Sequence, residues 1–170
     1  MEEKIFKPEK LIWTTEDFDQ MNWHDSRLHG LGFAYEINPF MIELRLDIDH
    51  IFKWCGHGEE PGPSGFWISP STMVFERPSA VKLEVLGSCE QYIMEINRSR
   101  PRPEVGNGAM TWHWKIFLNT GGTLSFRSCG LTQFTRLPPV FVPTPAQSLQ
   151  TAQRGTICFE KSCYDETART

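Results

Sequence analysis

Two short segments bring imidazole and carboxylate groups together. One is Trp23-His24-Asp25 and the other is Asp47-Ile48-Asp49-His50. With His29 and His57 they hold the residue types that ligate zinc, iron or manganese. Asp47 and Asp49 are two apart, so on a strand they share a face and both could reach one ion. His50 falls on the opposite face unless the chain bends. The spacing fits no established helical or finger motif. A metal centre, if the chain had one, would draw on His24, Asp25, His29, Asp47 and Asp49. The commoner roles are different: Asp47 and Asp49 solvated, Asp25 accepting backbone N–H bonds in a turn, and His24 packed beside Trp23. We expect no metal and no other cofactor.

Glu43, Asp47 and Asp49 could also serve as a general acid and base if their surroundings separated their pKa values. Arg45 lies among them on the same face and would keep them ionised, which is ordinary surface behaviour. Cys55 and His57 are two apart in a glycine-rich loop. A thiolate beside a histidine is reactive, but nucleophile and base normally come from distant parts of a chain. Trp112 and Trp114 share a face at strand spacing, where tryptophans usually build core; Trp54 and Trp67 sit near loops, where exposed rings could bind a sugar or a protein. Arg98-Ser99-Arg100-Pro101-Arg102 could touch phosphate, although three arginines in an acidic chain are more often a solvated loop. No group is expected to be catalytic.

The elements that position these groups are strands. From Phe40 to His50, Phe40, Ile42, Leu44, Leu46 and Ile48 point one way, and Met41, Glu43, Arg45, Asp47 and Asp49 the other. A strand sorts this alternation into an apolar and a polar face, and a sheet with one solvated face is typically antiparallel. Arg27 to Tyr35, Phe66 to Ile68, Thr72 to Glu76, Ala80 to Leu86 and Gln91 to Ile96 read as further strands, with Pro70, Pro78 and Gly87 between them. Ile51 to Cys55 continues the best strand past a bend, and Gly56 to Gly65 is a loop. Arg98 to Gly108 is a polar loop. Met110 to Leu118 alternates, Asn119-Thr120-Gly121-Gly122 is a hairpin turn, and Thr123 to Ser128 returns. Leu131 to Leu137 follows. Thr14-Thr15-Glu16-Asp17 opens a short helix that ends near Met21 or Asn22. Thr144-Pro145 opens a second, with Gly155 as its stop, before a last strand from Gly155 to Glu160. Residues 1–13 read as a loosely held arm and 164–170 as a frayed tail.

Composition narrows the classes. A chain of 170 residues, 39% apolar, with six Trp and twelve Phe, supplies the core of one domain over residues 1–170. Its net charge of -4 gives no electrostatic case for nucleic acid or an anionic membrane. The charged start, Met1-Glu2-Glu3-Lys4, lacks the apolar stretch of a signal peptide, and no run is apolar enough for a membrane helix. The expected location is the cytoplasm. Five cysteines, an odd number at long spacings without C-x-x-C, argue against a disulfide scaffold or a zinc ribbon. They are expected to be reduced, several of them in the core.

Several segments together resemble a family of small uncharacterised bacterial proteins whose members begin with a W-H-D segment. These are Trp23-His24-Asp25, Leu46 to Ile51, Phe66 to Glu76, Trp114-Lys115-Ile116 and Thr132 to Arg136. The resemblance covers most of residues 22–160. Proteins with a similar start include immunity proteins against bacterial toxins, so the resemblance implies one bacterial domain and, further, an immunity-type role.

The reading is a mainly β fold: an antiparallel meander sheet, open and curved or partly closed as a barrel, with one or two short helices. The expected function is a non-enzymatic binding protein that occludes a bacterial toxin or effector by complementary shape and charge. Its contact residues would be Glu43, Arg45, Asp47 and Asp49 on the polar face, with His24 and Asp25 near it. The alternatives are a small metal-dependent or acid/base hydrolase and a β domain that binds a small apolar ligand. The expected partner is another protein.

Overall fold

The computed structural model describes residues 6–35, 41–56, 63–106 and 108–165. Its strands are β1 (Ile12–Thr14), β2 (Ser26–Tyr35), β3 (Ile42–Cys55), β4 (Gly65–Glu76), β5 (Ser79–Glu84), β6 (Gln91–Arg98), β7 (Arg102–Pro103), β8 (Met110–Leu118), β9 (Thr123–Ser128), β10 (Gly130–Thr135) and β11 (Val140–Pro143). A 3-10 helix (Thr15–Gln20) follows β1, and a short α-helix, α1 (Thr151–Arg154), follows β11. The strands make one antiparallel sheet in the order β1-β10-β4-β3-β2-β6-β8-β9-β5, with β11 also on β4 and β7 on β8.

The sheet is rolled but not closed. Only Cys129 separates β9 from β10, yet each lies one place in from an opposite end of the strand order. A flat sheet cannot satisfy that connection. Rolling brings the inner faces together, and Phe75 of β4 meets both Trp114 of β8 and Phe126 of β9, at ring separations of 5.2 and 4.6 Å. Leu44, Leu46 and Ile48 join this core with Ile93, Ile116 and Leu124. The apolar half of the β3 alternation is therefore the inner face, as its period implies. Trp114 is core and Trp112 packs against it partly buried.

Several expectations change. Pro70 does not divide two strands but lies within β4. Its carbonyl accepts from Arg136 N, so its nitrogen faces the same side, where β10 stops opposite Ser71 and β11 starts opposite Ile68. Proline is tolerated there because no ladder partner asks for its missing N–H. The arm contributes β1, which pairs with β10, and Trp13 is buried. The polar loop after Arg98 carries β7. The second helix begins at Thr151, not Thr144, and Gly155 is its C-cap at φ 80°. Residues 155–160 form no ladder strand. Tyr164 is tied to the sheet, its N–H donating to Thr135 O at 3.3 Å. All five cysteines are free thiols, and none is fully buried. Phe40, His57 and residues 166–170 lie outside the described residues. No helix among the described residues is long and apolar enough to cross a membrane.

Candidate functional site

The polar half of the β3 alternation is the outer face, and the chain's own C-terminal segment covers it. That overturns the expectation of a solvated acidic face: Asp47 and Asp49 are 0% exposed and Glu43 is 8% exposed. Two arginines do the covering. Arg154, the last residue of α1, donates from Nη2 to both Asp47 oxygens at 2.8 Å and from Nε to Asp49 Oδ1 at 2.9 Å. Arg136, just past β10, donates to Asp47 Oδ1 at 2.5 Å and to Thr72 Oγ1 at 2.6 Å. Backbone N–H groups of Cys158 and Leu149 donate to Asp47 and Asp49 at 3.1 and 3.2 Å. The remaining partner is His29, whose Nε2 donates to Asp49 Oδ2 at 2.8 Å.

His29 owes its place to a bulge. Arg27 pairs with Asp49 and Leu28 with Ile48, but Gly30, not His29, faces Asp47. The extra residue aims its side chain at the acid and reverses the alternation beyond it. Leu31, Phe33 and Tyr35 consequently join the inner face, and Gly30 and Gly32 the outer. A Cβ on Gly30 would sit 3.1 Å from Ile157, and one on Gly32 would sit 3.6 Å from Phe159. The two glycines thus leave the space in which the strap of residues 149–161 lies. Farther along, Arg45 donates to Phe159 O and to Glu43, and Lys161 bonds Glu43 at 2.9 Å. Leu149 packs with Ile51, Phe66, Ile68 and Val142 in a second small core.

The electrostatics are those of a closed lock. Burial pushes the Asp49 carboxyl up, but the bonds and charges of His29 and Arg154 outweigh it, and the net shift is downward. Burial likewise pulls the Arg154 guanidinium down, and its bonds to Asp47 and Asp49 more than restore it. All four Asp47 and Asp49 oxygens have protein donors. Nor do the proposed metal ligands converge: among the described residues no three His, Cys, Asp or Glu groups are placed to hold an ion. His50 lies on the inner face, 3.5 Å from Ser26 Oγ and edge-on to the Phe52 ring at 4.5 Å, and burial pushes its pKa down to about 3.

His24 and Asp25 stand apart from the lock and remain accessible. Asp25 sits at φ 62°, a left-handed conformation that Asp adopts more readily than most residues. Its N–H donates to Ile93 O at 2.8 Å, and His24 Nδ1 lies 2.8 Å from Met94 O. A carbonyl only accepts, so Nδ1 carries the proton. Nε2 is left pointing outward, 3.7 Å from Asp25 Oδ1. The imidazole is 44% exposed and stacks 6.3 Å from the exposed Trp54. Beside it is a cleft of about 250 Å³ lined by Phe18, Asp19, Met21, Trp23, Met94 and Glu95. Trp23 is fixed behind it by a 2.8 Å bond to Gln133 Oε1.

No family model, curated protein or solved structure matches this chain. Reasoning from sequence missed Arg136 and Arg154, which lie 89 and 107 positions from Asp47 and carry no spacing signal. The basic loop is also divided in its roles. Arg98 bonds Thr15 O and lies 4.4 Å over the Phe18 ring, pinning the 3-10 helix, whereas Arg100 and Arg102 are exposed.

Proposed function

We propose that the protein is a non-enzymatic binding protein of the immunity type, which occludes a basic toxin or effector protein with the surface around His24 and Asp25. The observation that carries this reading is the rigid display of that pair. Two bonds to the backbone of β6 fix the turn, yet both side chains stay accessible beside Trp54 and Met94, which are 37% and 38% exposed. Aromatic, methionine and polar groups held in place at low entropic cost are what interface anchors require. Asp25 and the exposed Glu95 give the surrounding surface an acidic character that suits a basic partner, while Asp19 is paired with Arg98 at 3.6 Å. The cleft lies below the roughly 300–1,000 Å³ of small-molecule sites, which favours a projecting side chain of a protein over a free ligand. The acids that catalysis would recruit, Asp47 and Asp49, are engaged by arginines.

The test is recovery of the protein from its native cell as wild type and as the His24→Ala, Asp25→Gly double variant. A basic protein retained by the wild type and lost from the folded variant, and whose toxic activity falls when the wild type is added, is the expected result. Equal retention by both, or a retained protein whose activity is unaffected, refutes the proposal.

A further inference from the structure

β2 carries an unpaired edge at the opposite end from the His24–Asp25 turn. On one side it pairs with β3 from Arg27 to Tyr35. On its other side β6 pairs only with Ser26, Arg27 and Leu28. β6 begins at Gln91, opposite Leu28, and runs from there toward the Ser26 end of β2, so it never reaches along Gly30 to Tyr35. Among the described residues, Gly30 to Tyr35 therefore has no strand on its outer side. Alternate backbone N–H and C=O groups there point away from β3 with no ladder partner among the described residues, and an extended chain is the ligand that satisfies such a row.

The side chains on this edge are as unprotected as its backbone. Phe33 is 51% and Tyr35 68% exposed, and both lie on the inner-face side with Leu31. Their strand neighbours Leu44 and Leu46 are fully buried, so the apolar surface of the core continues past the start of β6. Sheet edges are usually guarded by charge, proline or a bulge. The terminal strand β5 has such guards: Lys82, Glu84 and a register shift between Ser79 and Lys82. The run Gly30-Leu31-Gly32-Phe33-Ala34-Tyr35 has no charge and no proline, and its bulge falls before it begins.

We infer that this edge binds a second copy of the same chain, β2 against β2 in antiparallel register, to make a two-fold dimer with a continuous sheet. The segment is complementary to itself. A dyad at Phe33 sets Phe33 opposite its own counterpart and Leu31 opposite Tyr35, all on one face, while Gly32 meets Ala34 on the other. Every large side chain on the edge then gains a cross-strand apolar partner, and no like charges meet. A charged foreign segment would find no complementary charge on this run. The short paired stretch implies a weak, concentration-dependent dimer.

Sedimentation velocity over a concentration series tests this, combined with amide hydrogen exchange at low and high concentration. The expected result is a monomer–dimer equilibrium in which the Leu31–Tyr35 amides slow as the dimer forms. Phe33→Lys places two lysines face to face at the dyad and is expected to weaken association about tenfold or more. Phe33 is half exposed, so the variant should fold, and its circular dichroism and unfolding midpoint verify that. Met110→Lys, at another exposed apolar position, should leave association unchanged. A wild type that stays monomeric at every attainable concentration overturns the inference. So does a Phe33→Lys dimer as tight as wild type, or exchange at Leu31–Tyr35 that is independent of concentration.

Discussion

Arg154 Nη2 contacts both oxygens of Asp47 at 2.8 Å, joining the middle of β3 to a residue 107 positions later. Both side chains are essentially removed from water. An uncompensated charge in that setting is costly, whereas an apolar pair of similar volume need not be. Asp47→Asn and Arg154→Met are each expected to destabilise the fold by about 3–5 kcal/mol in urea unfolding. The double variant should lose less than the sum, with a coupling above about 0.5 kcal/mol. Additive losses would show that the pair does not act as a unit.

The strap depends on space as well as charge. Gly30→Val pushes a branched side chain into Ile157, whose nearest atom would already be 3.1 Å from a Cβ. Such overpacking costs about 1–3 kcal/mol. Limited proteolysis should then cut residues 155–160 much faster than in wild type. The near-ultraviolet circular dichroism of the buried Trp114 region should persist, because the inner core lies on the other face of the sheet.

Stability should fall in mild acid because of His50. In the unfolded chain this imidazole takes up a proton near pH 6.5, but in the folded chain it stays neutral down to about pH 3. Between those values the unfolded state binds the extra proton, so stability rises with pH and the full contribution is present above 6.5. The slope is at most about 1.4 kcal/mol per pH unit. Asp49 acts lower: its folded carboxyl lies below its ordinary 3.8, so its contribution holds above that value and disappears as pH falls further. Unfolding free energies of His50→Leu should be flat from pH 6 to 4.5 and should still drop below about pH 4.

Asp25 owes its place to backbone conformation. Glycine adopts φ 62° without steric cost, so Asp25→Gly should change the unfolding free energy by no more than about 1 kcal/mol. Valine is strained there, and Asp25→Val should destabilise by more than the glycine variant. Thermal melts of the three proteins, ranked wild type and Asp25→Gly together above Asp25→Val, are the expected outcome.

Local sequence determined the strands. The alternation around β3 is visible because a strand repeats every two residues, and it correctly separated Leu44, Leu46 and Ile48 from Glu43, Arg45, Asp47 and Asp49. The same signal located β8, β9 and the turn between them, with the bounds Met110–Leu118 and Thr123–Ser128. What covers each face was decided by the tertiary structure. Polar residues on a strand look solvated from the sequence, but Asp47 and Asp49 are buried by Arg136 and Arg154, which come from distant segments with no periodicity linking them. The bulge at His29 is equally silent in sequence, since one extra residue leaves the composition of β2 unchanged while it exchanges the faces of Gly32 and Phe33. Strand period is a local property of the backbone. Which charges meet across the fold depends on how the rolled sheet brings its ends together, and that relation appears only when the whole chain is in place.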